Sequence, residues 1–227
     1  MNFERLNPLT GEVASKARAM QVSDLPAVVE SAEAGFKKWS VLGPNARRTV
    51  LLQAADALVS KKDEFVEAMM SEIGATAGWA MFNLMLASSM LREAASITTQ
   101  IGGEVIPSEK PNFLAMAVRE PVGVILGIAP WNAPIILGVR AVATALACGN
   151  SVILKASEIC PRTHELIIEA LASADFPDGT VNIVTNAPAD AADIVGALID
   201  HPTVKRINFT GSTEVGRIIA KRAAEHL

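Results

Sequence analysis

The chain has 227 residues, half of them apolar, with 20 Lys+Arg against 24 Asp+Glu and a formal charge of −4. That composition is too apolar for a disordered chain and lacks the basic excess that a nucleic-acid partner requires. Two cysteines without CxxC spacing and three scattered histidines argue against a disulfide scaffold and offer no metal-ligand pattern, so no metal site is expected.

The N-terminal stretch, through Asn7, Pro8 and Gly11, lacks the charged-then-apolar pattern of a signal peptide, and the cytoplasm is the expected compartment. The first hundred residues read as mostly helical. Ser23-Asp24 can cap a helix with Val28, Val29, Ala32, Phe36 and Trp39 on one face. Gly43-Pro44-Asn45 marks a turn. A second helix carries Val50, Leu51, Ala54 and Leu58, and the pattern continues through Phe65, Met69 and Ile73 to Gly74. From about Gly78 to Gln100 a longer helix carries Trp79, Phe82, Leu86, Met90 and Leu91, until Gly102-Gly103 and Pro107 end it.

The pattern then changes. Phe113–Arg119 alternates as a strand, and Val122–Ile128 is a continuous apolar run, suited to a strand covered on both faces. Pro134–Cys148 reads as a helix, Ser151–Leu154 as a strand and Pro161–Ala174 as a helix. Strand Val181–Val184, helix Ala189–Ile199, strand Val204–Phe209 and a helix from Ser212 to the end follow. Pro121 to Val139 holds no charged residue and has the length of a bilayer span. Its Pro130, Asn132 and Pro134 would break such a helix and strand a polar group in lipid, so no membrane partner is expected. Alternating strands and helices predict an α/β fold, a parallel, doubly wound, Rossmann-like sheet behind a helical N-terminal region. One domain over 1–227 is expected, helical over 20–103 and βαβ over 113–227.

In such a sheet, ligands sit outside the carboxyl ends of the strands. The residues there are Ala129-Pro130-Trp131-Asn132, Lys155-Ala156-Ser157-Glu158, Thr185-Asn186-Ala187-Pro188 and Thr210-Gly211-Ser212. A carboxylate at Glu158 can accept from two ribose hydroxyls, with Lys155 donating to the same sugar, and it would repel a 2′-phosphate. The same pair also reads as a solvated ion pair at a helix start. Phe209 to Gly216 runs strand, turn, helix start, where free N–H groups bind a pyrophosphate. Gly211 would let the backbone approach a ligand, and Gly216 would let the helix pack near the sheet. Asn132, held between two prolines, either donates to a developing oxyanion or caps the next helix. Arg140 stands alone in an apolar helix, eight residues after Asn132. Trp79 is read as core or as a ligand contact, and Cys148 and Cys160 as small buried residues.

Together, Pro130-Trp131-Asn132, the Lys155 and Glu158 pair, and Phe209-Thr210-Gly211-Ser212-Thr213-Glu214-Val215-Gly216 resemble the aldehyde dehydrogenase superfamily in order and spacing. The resemblance runs from about Asn7-Pro8 to Leu227. Within the superfamily, Gly74 to Ala80, Leu91 to Ser96 and Arg140 are most similar to the salicylaldehyde dehydrogenases of aromatic degradation.

The resemblance implies NAD as cofactor and an aromatic aldehyde or acid as ligand, salicylaldehyde going to salicylate. It implies that Asn132 donates to the oxyanion and that Lys155 and Glu158 hold the adenine ribose. Thr210, Gly211 and Ser212 would lie along the cofactor, and Ile128, Ala129, Pro130 and Trp131 would line its cleft. Trp79, Ala133 and Arg140 would line the aldehyde pocket. The superfamily's nucleophilic cysteine and general-base glutamate lie past Leu227, so the resemblance covers the cofactor side, with the catalytic domain absent. A truncated, non-catalytic module that binds nucleotide or aromatic ligand is the alternative. Exposed apolar surface and an unpaired sheet edge would favour a homodimer. One departure stands out. Asn186-Ala187-Pro188 occupies a position that is glycine-rich in many members, which weakens the expectation of a cofactor contact there.

Overall fold

The computed structural model describes residues 2–226. The outermost positions of the expected domain, 1 and 227, and the last residue of the expected final helix lie outside that range.

Four strands form the central sheet: β5 (Val124–Ile128), β6 (Ser151–Lys155), β7 (Val181–Val184) and β8 (Val204–Phe209). Their order is β7-β6-β5-β8, and every pairing is parallel. Helices α5 (Pro134–Ala147), α6 (Pro161–Ala172) and α7 (Ala191–Asp200) cross between them, α8 (Thr213–Ala223) follows β8, and together they cover both faces. This is the doubly wound α/β sheet expected from the alternation of elements. The charge-free run after Pro121 is indeed strand, turn and helix. Among the described residues, no helix is long and apolar enough to cross a membrane.

Both central strands are buried along their whole length. Val124, Leu126, Ile128 and Ile153 join one apolar cluster with α7, α8 and α1 (Leu25–Trp39). Ile125, Val152 and Leu154 point the other way, into a cluster with α5 and α6. Outside α5 and α6 lie α2 (Pro44–Ser60), α3 (Lys62–Ile73) and α4 (Ala77–Ile97). The early helices differ in their relation to the sheet. Only α1 makes its main contacts there, while α2 to α4 pack chiefly on one another and on α5 and α6.

The structure corrects the sequence reading at four places. The N-terminus is an antiparallel hairpin, β1 (Asn2–Leu6) with β2 (Val13–Arg18), turning through Gly11 at φ +76°. The expected strand 113–119 shrinks to β4 (Ala115–Ala117), which pairs with β3 (Glu104–Ile106) apart from the central sheet. Asp24 is the N-cap residue of α1, but its side chain makes no cap bond there; its carboxylate accepts from Gln21 N–H one turn earlier. The stripe expected on α4 is on the wrong face, apart from Leu91 and the half-buried Met90. Its buried positions are mostly small, Ala80, Asn83, Ala87, Ser88, Ala94 and Ala95, whereas Trp79, Phe82 and Leu86 are exposed. Small residues bring α4 close to α2 and α5, and this close packing outranks side-chain hydrophobicity in choosing the buried face.

Candidate functional site

The strand register brings the four tips into one row. Ile128 pairs with Lys155 on one side and Phe209 on the other, and Lys155 pairs with Val184. From β5 the chain steps outward to β6 and β7, then returns to β8 on the other side of β5. The loops after β5 and β8 therefore lead to helices on opposite faces and part above the sheet, the place where such folds form a crevice.

At the β6 tip, Lys155 Nζ and Glu158 Oε1 form an ion pair. Lys155 is 5% exposed, and α6 begins only at Pro161. The alternative of a solvated pair at a helix start therefore does not describe it. A pair this buried needs further hydrogen bonds to offset desolvation, and Asn186 Nδ2 supplies one to Glu158 Oε1 at 3.0 Å. Among the described residues, no hydrogen bond reaches Glu158 Oε2.

At the β5 tip, Asn132 is exposed and its side chain makes no hydrogen bond among the described residues. It does not cap α5, whose N-cap is Ala133 without a side-chain bond. Its amide donors are free. Trp79 Nε1 donates to the backbone oxygen of Asn132 at 3.3 Å, and Trp79 stacks on Phe82 with ring centroids 5.5 Å apart. The indole is thus a neighbour of the Asn132 loop, with 42% of its surface exposed, and is not part of the core. Arg140 is the one exposed residue between Pro134 and Ala143, with no ion pair among the described residues. Ile128 and Ala129 are buried beneath the loop, and Trp131 is exposed on it.

At the β8 tip, Thr210 N–H donates to Ile128 O at 3.1 Å, which ties the β8 loop to β5. Ser212 Oγ caps α8 by accepting from Val215 N–H at 3.2 Å, so the hydroxyl is engaged. The N–H groups of Thr213 and Glu214 stay unpaired within the helix and are the donors available to an anion. The sequence reading assigned Gly211 to ligand approach, but a Cβ there would lie 2.5 Å from Phe209 Cζ. A Cβ on Gly216 would lie 3.2 Å from the same ring. Both glycines make room for Phe209.

Neither cysteine is placed to act at this crevice. Cys160 is fully buried, and burial pushes its thiol well above the ordinary range, with the Glu72 charge adding to it. Cys148 follows the far end of α5, a helix of about 20 Å. Among the described residues, no group of three or more His, Cys, Asp or Glu could hold a metal.

A model of the "Aldehyde dehydrogenase family" matches residues 1–227. The chain belongs to the aldehyde dehydrogenase family. It is 56% identical over 225 residues to a vanillin dehydrogenase of Pseudomonas fluorescens, covering 99% of this chain and 46% of that protein. The crystal structure of a salicylaldehyde dehydrogenase from Pseudomonas putida G7, complexed with salicylaldehyde, superposes with a TM-score of 0.97. Its identity is 45%, covering 100% of this chain and 47% of that one. A NAD-dependent benzaldehyde dehydrogenase from Corynebacterium glutamicum has a TM-score of 0.93 at 30% identity, covering 98% and 47%. The chain spans about half the length of the relatives it matches.

Within this aldehyde dehydrogenase chain, two polar residues near the crevice carry more than the sequence reading assigned them. Asn186 is one. His164, weighed there only as a metal ligand, is the other. It is fully buried. Its Nδ1 accepts from Ser157 N–H at 3.0 Å, which leaves the proton on Nε2, 3.2 Å from Pro134 O. The neutral ring therefore ties the β6 loop to the first turn of α5, the helix that follows β5. The available signal was its place on the apolar stripe of α6, beside Leu166 and Ile167 on the buried face.

Burial lowers the His164 pKa from 6.5 to about 4, against the smaller opposing effect of the Pro134 carbonyl. The unfolded chain takes up a proton in that window which the folded chain refuses. Stability is full above about pH 6.5, falls as pH drops, and levels off below about pH 4, a loss of about 3 kcal/mol from this group. Urea unfolding midpoints from pH 7 to pH 4.5 read this slope. His164→Asn flattens it, and an unchanged slope in that variant would assign the titration elsewhere.

Proposed function

We propose that this chain supplies the cofactor and oxyanion side of an NAD-dependent oxidation of an aromatic aldehyde. The observation that carries the reading is the buried Lys155–Glu158 pair, which leaves Glu158 Oε2 without a protein partner in the same row of strand tips as Asn132 and the α8 start. The donor set suits a dinucleotide. A carboxylate oxygen is open to ribose hydroxyls, and the first-turn N–H groups of α8 are open to a diphosphate. Thr210, Gly211 and Ser212 would then flank the diphosphate, and Ile128 to Trp131 would wall the cleft.

When bound, the nicotinamide supplies the hydride acceptor. The chain's own part is to hold the ribose and to stabilise charge on the aldehyde oxygen through Asn132 Nδ2, a donor that the α5 cap does not consume. Ala133 follows Asn132, Trp79 Nε1 donates to the Asn132 backbone oxygen, and Arg140 lies about two turns further along α5. An exposed indole would stack on an aromatic ring, and an unpaired guanidinium would hold an ortho oxygen or the product carboxylate. The names of the relatives support an aromatic substrate. Salicylaldehyde was the sequence expectation. The 56% identity to a vanillin dehydrogenase, against 45% to a salicylaldehyde dehydrogenase, makes vanillin an equal candidate. Hairpin β3–β4 exposes Val105, Ile106, Phe113, Leu114, Met116 and Val118, which supports self-association through that face.

Calorimetric titration with NAD is expected to show saturable binding, and no binding would overturn the reading. Absorbance at the NADH band, with salicylaldehyde and vanillin compared, reads turnover, and where turnover is present Asn132→Ala lowers it about 10²-fold. Light scattering on the same preparation gives more than one chain's mass if the hairpin face self-associates. The placement of Cys148 and Cys160 favours a second reading, in which the chain by itself binds the dinucleotide without turning it over. NAD binding with no NADH formed supports that reading.

A further inference from the structure

We propose that Asn186 is a positioning residue for Glu158 and sets the preference of this crevice for a dinucleotide with a free 2′-hydroxyl over its 2′-phosphate. The inference rests on the reading that Glu158 faces a ribose.

Asn186 lies just past β7, an edge strand of the sheet, and is 1% exposed. Its Nδ2 donates to Glu158 Oε1 at 3.0 Å and to Ala187 O at 2.8 Å. The reverse amide orientation would set Oδ1 against a carboxylate, so the charge on Glu158 fixes which end is the donor. Lys155 Nζ approaches the same Oε1. Both donors therefore converge on one oxygen and leave Oε2 as the acceptor for the sugar. The loop carrying Asn186 is itself held. Thr185 Oγ1 donates to Arg18 O at 2.7 Å, and Met20 N–H donates to Thr185 O at 3.1 Å.

A second observation points the same way. Asn186 Oδ1 is buried and, among the described residues, has no hydrogen-bond partner. A residue kept only to fill space would shed that unpaired acceptor, because an apolar side chain of similar size carries no such penalty. The amide is explained by what its other end does. A carboxylate clamped by two donors cannot swing aside. It presents a fixed negative charge where a 2′-phosphate would sit, while a 2′-hydroxyl donates to Oε2. With Lys155 as the sole clamp, the carboxylate has room to rotate, and both effects weaken.

The test is titration of the full chain with NAD and with NADP, in wild type and Asn186→Ala, with thermal unfolding as the check on folding. NAD affinity is expected to fall about tenfold, as for loss of a hydrogen bond to a charged group. NADP affinity is expected to hold or rise, so the ratio collapses. In a Glu158→Gln background the same substitution leaves the ratio unchanged, because the charge it positions is gone. Equal weakening for both dinucleotides, or an unchanged ratio, overturns the proposal, since a merely structural residue would produce one or the other. A shift that persists with Glu158→Gln overturns it as well. Where Asn186→Ala does not fold, Asn186→Gly removes the same donor and is read in the same way. Wild type that binds neither dinucleotide refutes the cofactor reading itself, an outcome distinct from binding without discrimination.

Discussion

Replacing Glu72 by alanine is expected to destabilise the protein by about 3–5 kcal/mol, because each buried donor left without its acceptor costs about 1–3 kcal/mol and the carboxylate serves several. Glu72 lies on α3 and is fully buried. Its Oε1 accepts from Arg162 N–H at 2.7 Å and from Ser15 Oγ, and its Oε2 accepts from Thr163 N–H at 3.0 Å and Thr163 Oγ1 at 2.7 Å. Its backbone oxygen accepts from Arg5 Nε at 2.9 Å. The N-cap of α6, Cys160, has no side-chain cap, so a carboxylate from another helix does that work and also meets the positive end of the dipole. Alanine would leave two amide N–H groups and two hydroxyls without acceptors, the Thr163 pair buried and those of Ser15 and Arg162 half-buried. Glu72→Gln keeps the shape but turns one acceptor into a donor, and should cost less. Urea unfolding with unchanged m-value reads both. A loss under about 1 kcal/mol for Glu72→Ala would show that water replaces the carboxylate.

Gly35→Ala should lower stability by about 3 kcal/mol or more, as overpacking does when backbone is the obstacle. The sign is the point, because glycine to alanine inside a helix ordinarily gains up to about 1 kcal/mol. Here a Cβ on Gly35 would sit 2.1 Å from the Gly179 carbonyl carbon and 2.3 Å from Thr180 N. Gly179, at φ +84°, would in turn place a Cβ 2.1 Å from Ser31 O. Helix α1 and the turn before β7 touch backbone to backbone, and Ser31 Oγ locks the contact by donating to Asn182 Oδ1 at 3.0 Å. Alanine must lift α1 from the sheet edge. For a domain of this size, a fall in melting temperature of about 6–12 °C is expected, and a rise would refute the close contact.

The candidate site divides along the same line as these two residues. Lys155, Glu158, Asn132 and the start of α8 were legible because local order places each one just past an apolar strand. The strand register then brings strand tips together whatever the helices do. Asn186 was legible as a residue just past a strand tip, but its bond to Glu158 was not, and His164 was not legible as part of the site. Each acts on a residue in another loop or element, and nothing near either one in sequence names that partner. The stripe on α4 failed for a related reason. Helical periodicity says that some face is buried, but the fit of small residues against α2 and α5 decides which.

From the order of residues alone came the alternation of strand and helix, the parallel sheet and the positions of its tips, because these depend on short-range periodicity and on turns that glycine and proline impose. Only the folded molecule decided which carboxylate caps which helix, which amide clamps Glu158, and where glycine is obligatory. Those outcomes are set by groups far apart in the chain whose distances close only when the layers pack.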